Sequence, residues 1–219
     1  MIAGSANRDG GVPIATVEHP GHRRLVGARD KDQALQLVRR LDWRFLLPNP
    51  TLGDVAYLGP MSGTLPSALQ QFSELLTIVM PSDQSRADVA MACSYEVVVV
   101  RSPAISAVKH VTPLLRSGGY LYWEVERVSG IGHVQEYVRA VEEEGFDDIQ
   151  VSWHRPDFES CLEIIPLSDP VALRFAFARR PESVSKRLKF AAGRLLMTTG
   201  LLARVVPCFS IVARNRSGV

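Results

Sequence analysis

Cysteine is scarce. Only Cys93, Cys161 and Cys208 occur in 219 residues. They are odd in number, far apart and never spaced as CxxC. That excludes a disulfide framework and a thiolate zinc site, and it fits a reducing compartment. No stretch approaches the about 18 to 20 apolar residues that a bilayer-spanning helix needs. The opening "MIAGSANRDGGVPIATVEHPGHRR" lacks the apolar run of a signal peptide, so a soluble, cytoplasmic chain is expected. A strong overall charge is missing too: the net is +2, and no nucleic-acid partner is expected. Nor does the sequence show an internal repeat, a metal-ligand cluster or a nucleophile triad, so no metal is expected.

Acidic residues run out near the end. From Arg174 onward ten basic residues face the single acid Glu182, a local charge of +9 that leaves −7 for the rest. This asymmetry implies either docking of the tail on an acidic body or a basic face for an anionic partner.

Residues 1–30, rich in glycine and charge, are expected to form a flexible arm, and 31–219 a single α/β domain. "KDQALQLVRRLDW" puts Leu35, Val38 and Leu41 at helical spacing, and the prolines of "RFLLPNPTLG" then break the helix. "DVAYLG" is strand-like. "TLPSALQQFSELL" restarts a helix with Thr64 as N-cap and Pro66 in the first turn, and "LTIVM" is a second short strand. "YEVVVVRSP" suits a centre strand buried on both faces. "AISAVKHVTPLLRSGG" reads as a helix ending at Gly118–Gly119, and "YLYWEVE" as a strand. The helix of "GHVQEYVRAVEEEGF" carries Val134, Val138 and Val141 on one side, ahead of the strand "DDIQVSW". A basic amphipathic helix is expected over about 183–204, with Val184, Leu188, Ala191, Leu195, Thr199 and Leu202 on its apolar face and Phe190, Met197 and Leu201 widening it. "CFSIVARN" is the last strand. Strands alternating with helices imply right-handed βαβ units and a mostly parallel sheet.

In this order the elements resemble the class I S-adenosylmethionine-dependent methyltransferase fold, over roughly residues 53–153 and 207–215. "YEVVVVRSP" stands at that family's fourth strand. "LLRSGGYLYWEVE" is similar to its passage into strand five, "VEEEGFDDIQVSW" to its entry into strand six, and "PCFSIVARN" to its closing antiparallel strand. The resemblance implies a three-layer Rossmann-like α/β fold with a mostly parallel central sheet. Because the segment Met80–Tyr95 is short, edge strand three is expected to be missing. It also implies S-adenosylmethionine as cofactor and a small-molecule acceptor such as a sugar or secondary metabolite.

"VAYLGPMSG" aligns with the family's first motif. Gly59 and Gly63 match the first and third glycines, Tyr57 stands at the acidic position and Met61 at the middle glycine. Residues Gly59, Pro60, Ser62 and Gly63 are the candidate cofactor cradle; the other reading is a tight strand–helix turn kept for folding. Pro81 falls where the family's ribose-binding acid stands, and Asp83 is its candidate substitute. Arg101 and Ser102 lie just past the central strand, at the edge where open α/β sheets bind ligands, or else cap the next helix. Glu124 faces the same crevice or the surface. His110 is read as surface or packing. His154 and Asp157, after strand six, are the candidate base and partner. The basic C-terminal helix either packs on the sheet as core or lid, or meets a membrane surface or another protein. A homo-oligomer also fits. The reading that competes with an enzyme is a methyltransferase-like module without cofactor, serving assembly or partner binding.

Overall fold

The computed structural model describes residues 28–79, 95–126, 134–178 and 184–216, with side chains from 32–79, 95–126, 134–178 and 191–216. The expected N-terminal arm, save its last residues, lies outside them, as do Cys93, Pro81 and the candidate Asp83.

A helix α1 (Ala28–Arg40) and a 3₁₀ turn (Asp42–Leu46) lead into strand β1 (Leu52–Leu58). Then come α2 (Leu65–Phe72), β2 (Ser73–Ile78), β3 (Tyr95–Arg101), a 3₁₀ segment (Ile105–His110) and β4 (Leu115–Glu126). Helix α3 (Val134–Glu143) precedes β5 (Phe146–Arg155) and β6 (Glu163–Pro166). Helices α4 (Pro170–Ala176), α5 (Val184–Thr198) and α6 (Leu202–Val205) return the chain to β7 (Cys208–Asn215).

The strands form one sheet in the order β2-β1-β3-β4-β7-β5-β6. β2, β1, β3 and β4 pair in parallel, β7 inserts antiparallel between β4 and β5, and β6 is antiparallel to β5. The three-layer α/β fold with a mostly parallel centre and an antiparallel closing strand is therefore as the sequence implied. Among the described residues β2 and β6 are the two edge strands.

The four valines of β3 explain its central place. Val97 and Val99 pack toward Leu41, Trp43, Leu65 and Leu69, under α1 and α2. Val98 and Val100 pack toward Val108, Val134, Val141, Leu173 and Leu202 on the opposite face. Successive strand side chains alternate faces, so only a strand covered on both sides has use for an unbroken apolar run. On the α1 side the Trp43 ring stacks on Tyr122, with centroids 3.7 Å apart and planes 7° from parallel.

Four local expectations change. The helix expected through "SELL" ends at Phe72, and β2 begins at once, because Leu76 and Thr77 are needed as buried sheet residues beside β1. The helix expected over "AISAVKHVTPLLRSGG" is only the 3₁₀ segment, and β4 already starts at Leu115. Gly118 and Gly119 cap no helix; they form a bulge in β4 that shifts its register with β3. A Cβ on Gly119 would lie 3.0 Å from the carbonyl oxygens of Arg116 and Glu96, so this close backbone approach demands glycine. β6, hidden in "SCLEIIPLSDP", extends the sheet beyond β5. Finally, the long C-terminal helix is divided at Gly200, which has φ +71°. Among the described residues the inward ones are Gly193, Leu196 and Met197; of the expected arc Met197 and Leu202 meet the core, while Leu195 and Thr199 are exposed. The reason is Gly193: the Phe177 ring lies where its Cβ would be, so the helix approaches the sheet on its glycine side.

Candidate functional site

The chain turns left from β1 to β2 and right to β3, so the β1–α2 turn lies at the point where strand order reverses. Open α/β sheets bind ligands at such points, beyond the carboxyl ends of their strands. The turn is Gly59–Gly63. Pro60 to Gly63 are exposed, and Met61 has 52% of its surface open to solvent. Met61 therefore does not fill the bend it stands in.

Tyr57 does part of that. It is fully buried, and its hydroxyl donates to the Pro60 carbonyl at 2.7 Å. Burial pushes this hydroxyl up to about 12, so it stays a neutral donor. The same hydroxyl lies 2.7 Å from where a Cβ of Gly59 would stand. Gly59 thus makes room for the tyrosine that occupies the acidic position of the family motif.

Gly63 makes room for two other side chains. It has φ +95°, and a Cβ there would stand 2.7 Å from Arg101 Nη1 and 2.8 Å from Glu159 Oε1. Arg101, last residue of β3, donates to the Ser62 carbonyl at 3.4 Å and to Glu159 at 3.0 Å, and lies 3.7 Å from Glu126. Glu159 sits in the loop from β5 to β6. Its carboxylate accepts from the Thr64 amide at 3.3 Å and from the Thr64 hydroxyl. Thr64 makes no cap bond within its own helix, contrary to its expected role; its hydroxyl goes to Glu159 instead. Burial works to raise the Glu159 pKa, but the Thr64 bonds and the Arg40 and Arg101 charges outweigh it, leaving the group below the usual carboxylate range.

Behind this cluster lies a buried ion pair. Arg40, at the end of α1, donates through Nη1 and Nη2 to the two carboxylate oxygens of Glu124, each at 2.6 Å. Glu124 is only 1% exposed and Arg40 only 4%. Tyr122 adds a bond to Glu124 at 2.9 Å. Burial opposes the guanidinium charge, yet Glu124 raises its pKa beyond the ordinary value. Glu124 is thus an interior anchor for α1, neither a surface group nor one open to the crevice.

The remaining candidates are held in place by structure. Ser102 Oγ accepts from the Ala104 amide at 3.1 Å, a local turn bond ahead of the 3₁₀ segment that does not cap it, and the Ser102 carbonyl accepts from Trp123 at 2.8 Å. His154 and Asp157 are not brought together. The His154 ring is 2% exposed, with Nε2 2.8 Å from Ser210 Oγ and Nδ1 3.5 Å from Cys161 Sγ. Burial, helped by Arg40, depresses it to about 3, so it is a neutral packing group. Asp157 instead accepts from the amide and hydroxyl of Ser160, which lower its pKa and fix the loop. Among the described residues no group of three side chains is arranged to hold a metal ion, and no helix is long and apolar enough to cross a membrane.

Beside the turn opens a cavity of about 400 Å³, lined by Gly63, Thr64 and Ser67 on one side and by Asp32, Gln33, Gln36 and Leu37 of α1 on the other. The α1 wall of this cavity is polar apart from Leu37, whereas the side of Gly59 filled by Tyr57 is closed. Sequence reasoning found Gly59, Gly63 and Arg101 but missed Arg40 and Glu159. A charged residue two positions from Tyr122 on the inward face of an apolar strand was the one available sign that Glu124 had a buried partner. Nothing local marks Glu159.

No protein-family model matches the sequence, and no curated protein does either. Solved structures do match. A SAM-dependent methyltransferase from Archaeoglobus fulgidus aligns with TM-score 0.50 and 10% identity over 82% of this chain and 94% of that one. A Thermotoga maritima SAM-dependent methyltransferase, described as a possible histamine N-methyltransferase, gives 0.43 and 11% over 84% and 91%. Phosphoethanolamine N-methyltransferase 2 of Haemonchus contortus, in complex with S-adenosyl-L-methionine, gives 0.44 and 13%; the alignment takes 84% of this chain but only 52% of that one. At 10% identity and TM-score 0.50 the first of these shows likeness of fold alone: this chain has the α/β fold of that SAM-dependent methyltransferase, at a divergent sequence.

Proposed function

We propose that the chain binds S-adenosylmethionine at the Gly59–Gly63 turn and the cavity beside it, and transfers a methyl group to a small-molecule acceptor, a sugar or secondary metabolite. One observation supports this reading: a cavity of about 400 Å³, lined by the polar residues Asp32, Gln33, Gln36, Thr64 and Ser67 as well as Leu37, opens beside a glycine turn at the reversal point of the sheet. Backbone at Pro60, Ser62 and Gly63 and the lining groups Asp32 and Gln36 are the proposed binding groups, with Arg101 at the neighbouring strand end. Asp83 is the proposed ribose contact. Bound there, the cofactor supplies an electrophilic methyl group. The chain's own part is to hold and orient the reactants and keep water out, which needs at most one base. His154, neutral and enclosed, is not assigned that task.

The test is calorimetric titration with S-adenosylmethionine and S-adenosylhomocysteine. Micromolar binding is expected, lost in Ser67→Trp, which fills the cavity from an exposed helix position and leaves the unfolding temperature unchanged. No heat at millimolar ligand defeats the reading and leaves the assembly module in its place.

A further inference from the structure

The side of Gly63 that glycine leaves bare faces a carboxylate of its own chain. Glu159 Oε1 lies 3.0 Å from Arg101 Nη1 and 3.8 Å from Arg40 Nε, while Oε2 takes the amide and hydroxyl of Thr64 at the start of α2. Backbone amides at a helix start and converging guanidinium groups favour an anion. Glu159 does not exhaust the donors. Arg40 spends both terminal nitrogens on Glu124, and its Nε, inside a residue 4% exposed, has no hydrogen-bond partner and lies 3.8 Å from Glu159 Oε1.

The loop that carries Glu159 is pinned independently of that carboxylate. Phe158 is buried, 4.7 Å from the His154 ring and beneath the Arg40 guanidinium, and Asp157 ties Ser160. Glu159 itself keeps 38% of its side chain exposed. Its side chain is thus free to rotate outward while the loop stays in place.

We infer that Glu159 is a built-in latch, an internal carboxylate that holds the glycine turn closed, so that an anionic group of a ligand reaches Thr64, Arg101 and Arg40 only by displacing it. The latch is a property of the turn itself; its consequence for the cofactor rests on the reading proposed above. The groups facing Glu159 are Thr64 at the start of α2, Arg101 from β3 and Arg40 from α1; the Thr64 bonds and the two arginines together outweigh its burial and hold it below the usual carboxylate range.

The experiment uses the ¹⁵N-labelled full chain, titrated with inorganic sulfate against sodium chloride at equal ionic strength, reading the Thr64 and Ser62 amide signals. Glu159→Ala is expected to give a saturable shift at millimolar sulfate, with wild type at least about tenfold weaker. Glu159→Gln, which keeps acceptors for Thr64 without charge, is expected between them, and it carries the comparison alone if the alanine variant does not fold. Equal responses in wild type and variants, or no response in any, overturn the latch. A second titration with S-adenosylhomocysteine separates the two proposals. Tighter binding by Glu159→Ala supports the latch and the cofactor site together. A sulfate response without nucleoside binding by any of the proteins supports the latch and overturns the cofactor site.

Discussion

His154 makes the fold sensitive to mild acid, and the size of the effect follows from its surroundings. The ring is enclosed by Phe158, Ser210 and Cys161; the charged group acting on it is Arg40, and both burial and that charge disfavour a second proton. The nearby thiols of Cys161 and Cys208 are pushed up by burial, so they stay uncharged across the relevant range. The folded pKa of about 3 lies below the ordinary value of 6.5. The unfolded chain therefore binds the proton more readily, and the contribution is complete above pH 6.5. It is lost steadily as pH falls toward the folded value. By proton linkage the loss at pH 5 is about 2 kcal/mol relative to pH 7.5. The measurement is urea unfolding at both pH values for wild type and His154→Gln, which keeps an amide within reach of Ser210 but cannot titrate. Carboxylates elsewhere act on both proteins alike and cancel in the comparison. Wild type should lose about 2 kcal/mol more than the variant between the two pH values. Parallel losses would show that the ring is charged or hydrated in the native state, and would refute the enclosed environment.

Breaking the Arg40–Glu124 pair with Arg40→Met should cost about 3–5 kcal/mol in urea unfolding, because Glu124 is left charged in the interior. Adding Glu124→Leu to that variant should recover part of the loss, and a purely additive double variant would mean that the pair is not coupled. Gly193→Ala places a methyl 2.3 Å from a Phe177 ring carbon. It should lower stability by about 1–3 kcal/mol, with the near-ultraviolet aromatic signal changing as the ring is displaced. A thermal scan showing no shift would mean that the helix packs on another face. Binding that disappears in Ser67→Trp and strengthens in Glu159→Ala would tie the cavity and the latch to one site.

What could be read from the sequence was set by local burial. β3 announces itself because both its faces are covered, so four valines in a row have a single explanation; α3 does so through helical periodicity, and β7, flanked on both sides in the sheet, through a nearly continuous buried run. β4 was read short because "LLRSGG" looks like a helix end, whereas the glycines serve a bulge that brings Gly119 within contact of Glu96 backbone on the neighbouring strand. In the C-terminal helix the apolar stripe predicts Leu195 and Thr199 inward, yet they are exposed, and Gly193 marks the close approach instead. In both cases the deciding contact was between distant residues.

The glycine turn follows the same logic. Its spacing of Gly59 and Gly63 reads as a ligand cradle, and Met61 looks like the obstacle. In the fold Met61 points to solvent, and the space beside the glycines is taken by Tyr57, two residues away, and by Glu159, ninety-five residues from its partner Thr64. A missing Cβ therefore has two uses here that a local pattern cannot separate: room for a ligand and room for the chain itself. At Gly59 the occupant is a rigid buried ring bonded to the turn, which no ligand removes without rearranging the core. At Gly63 the occupants are the ends of flexible, partly exposed side chains, and an anion able to take their bonds replaces them at little cost. Only the Gly63 side can open, and whether Glu159 yields decides between a working site and a sealed one.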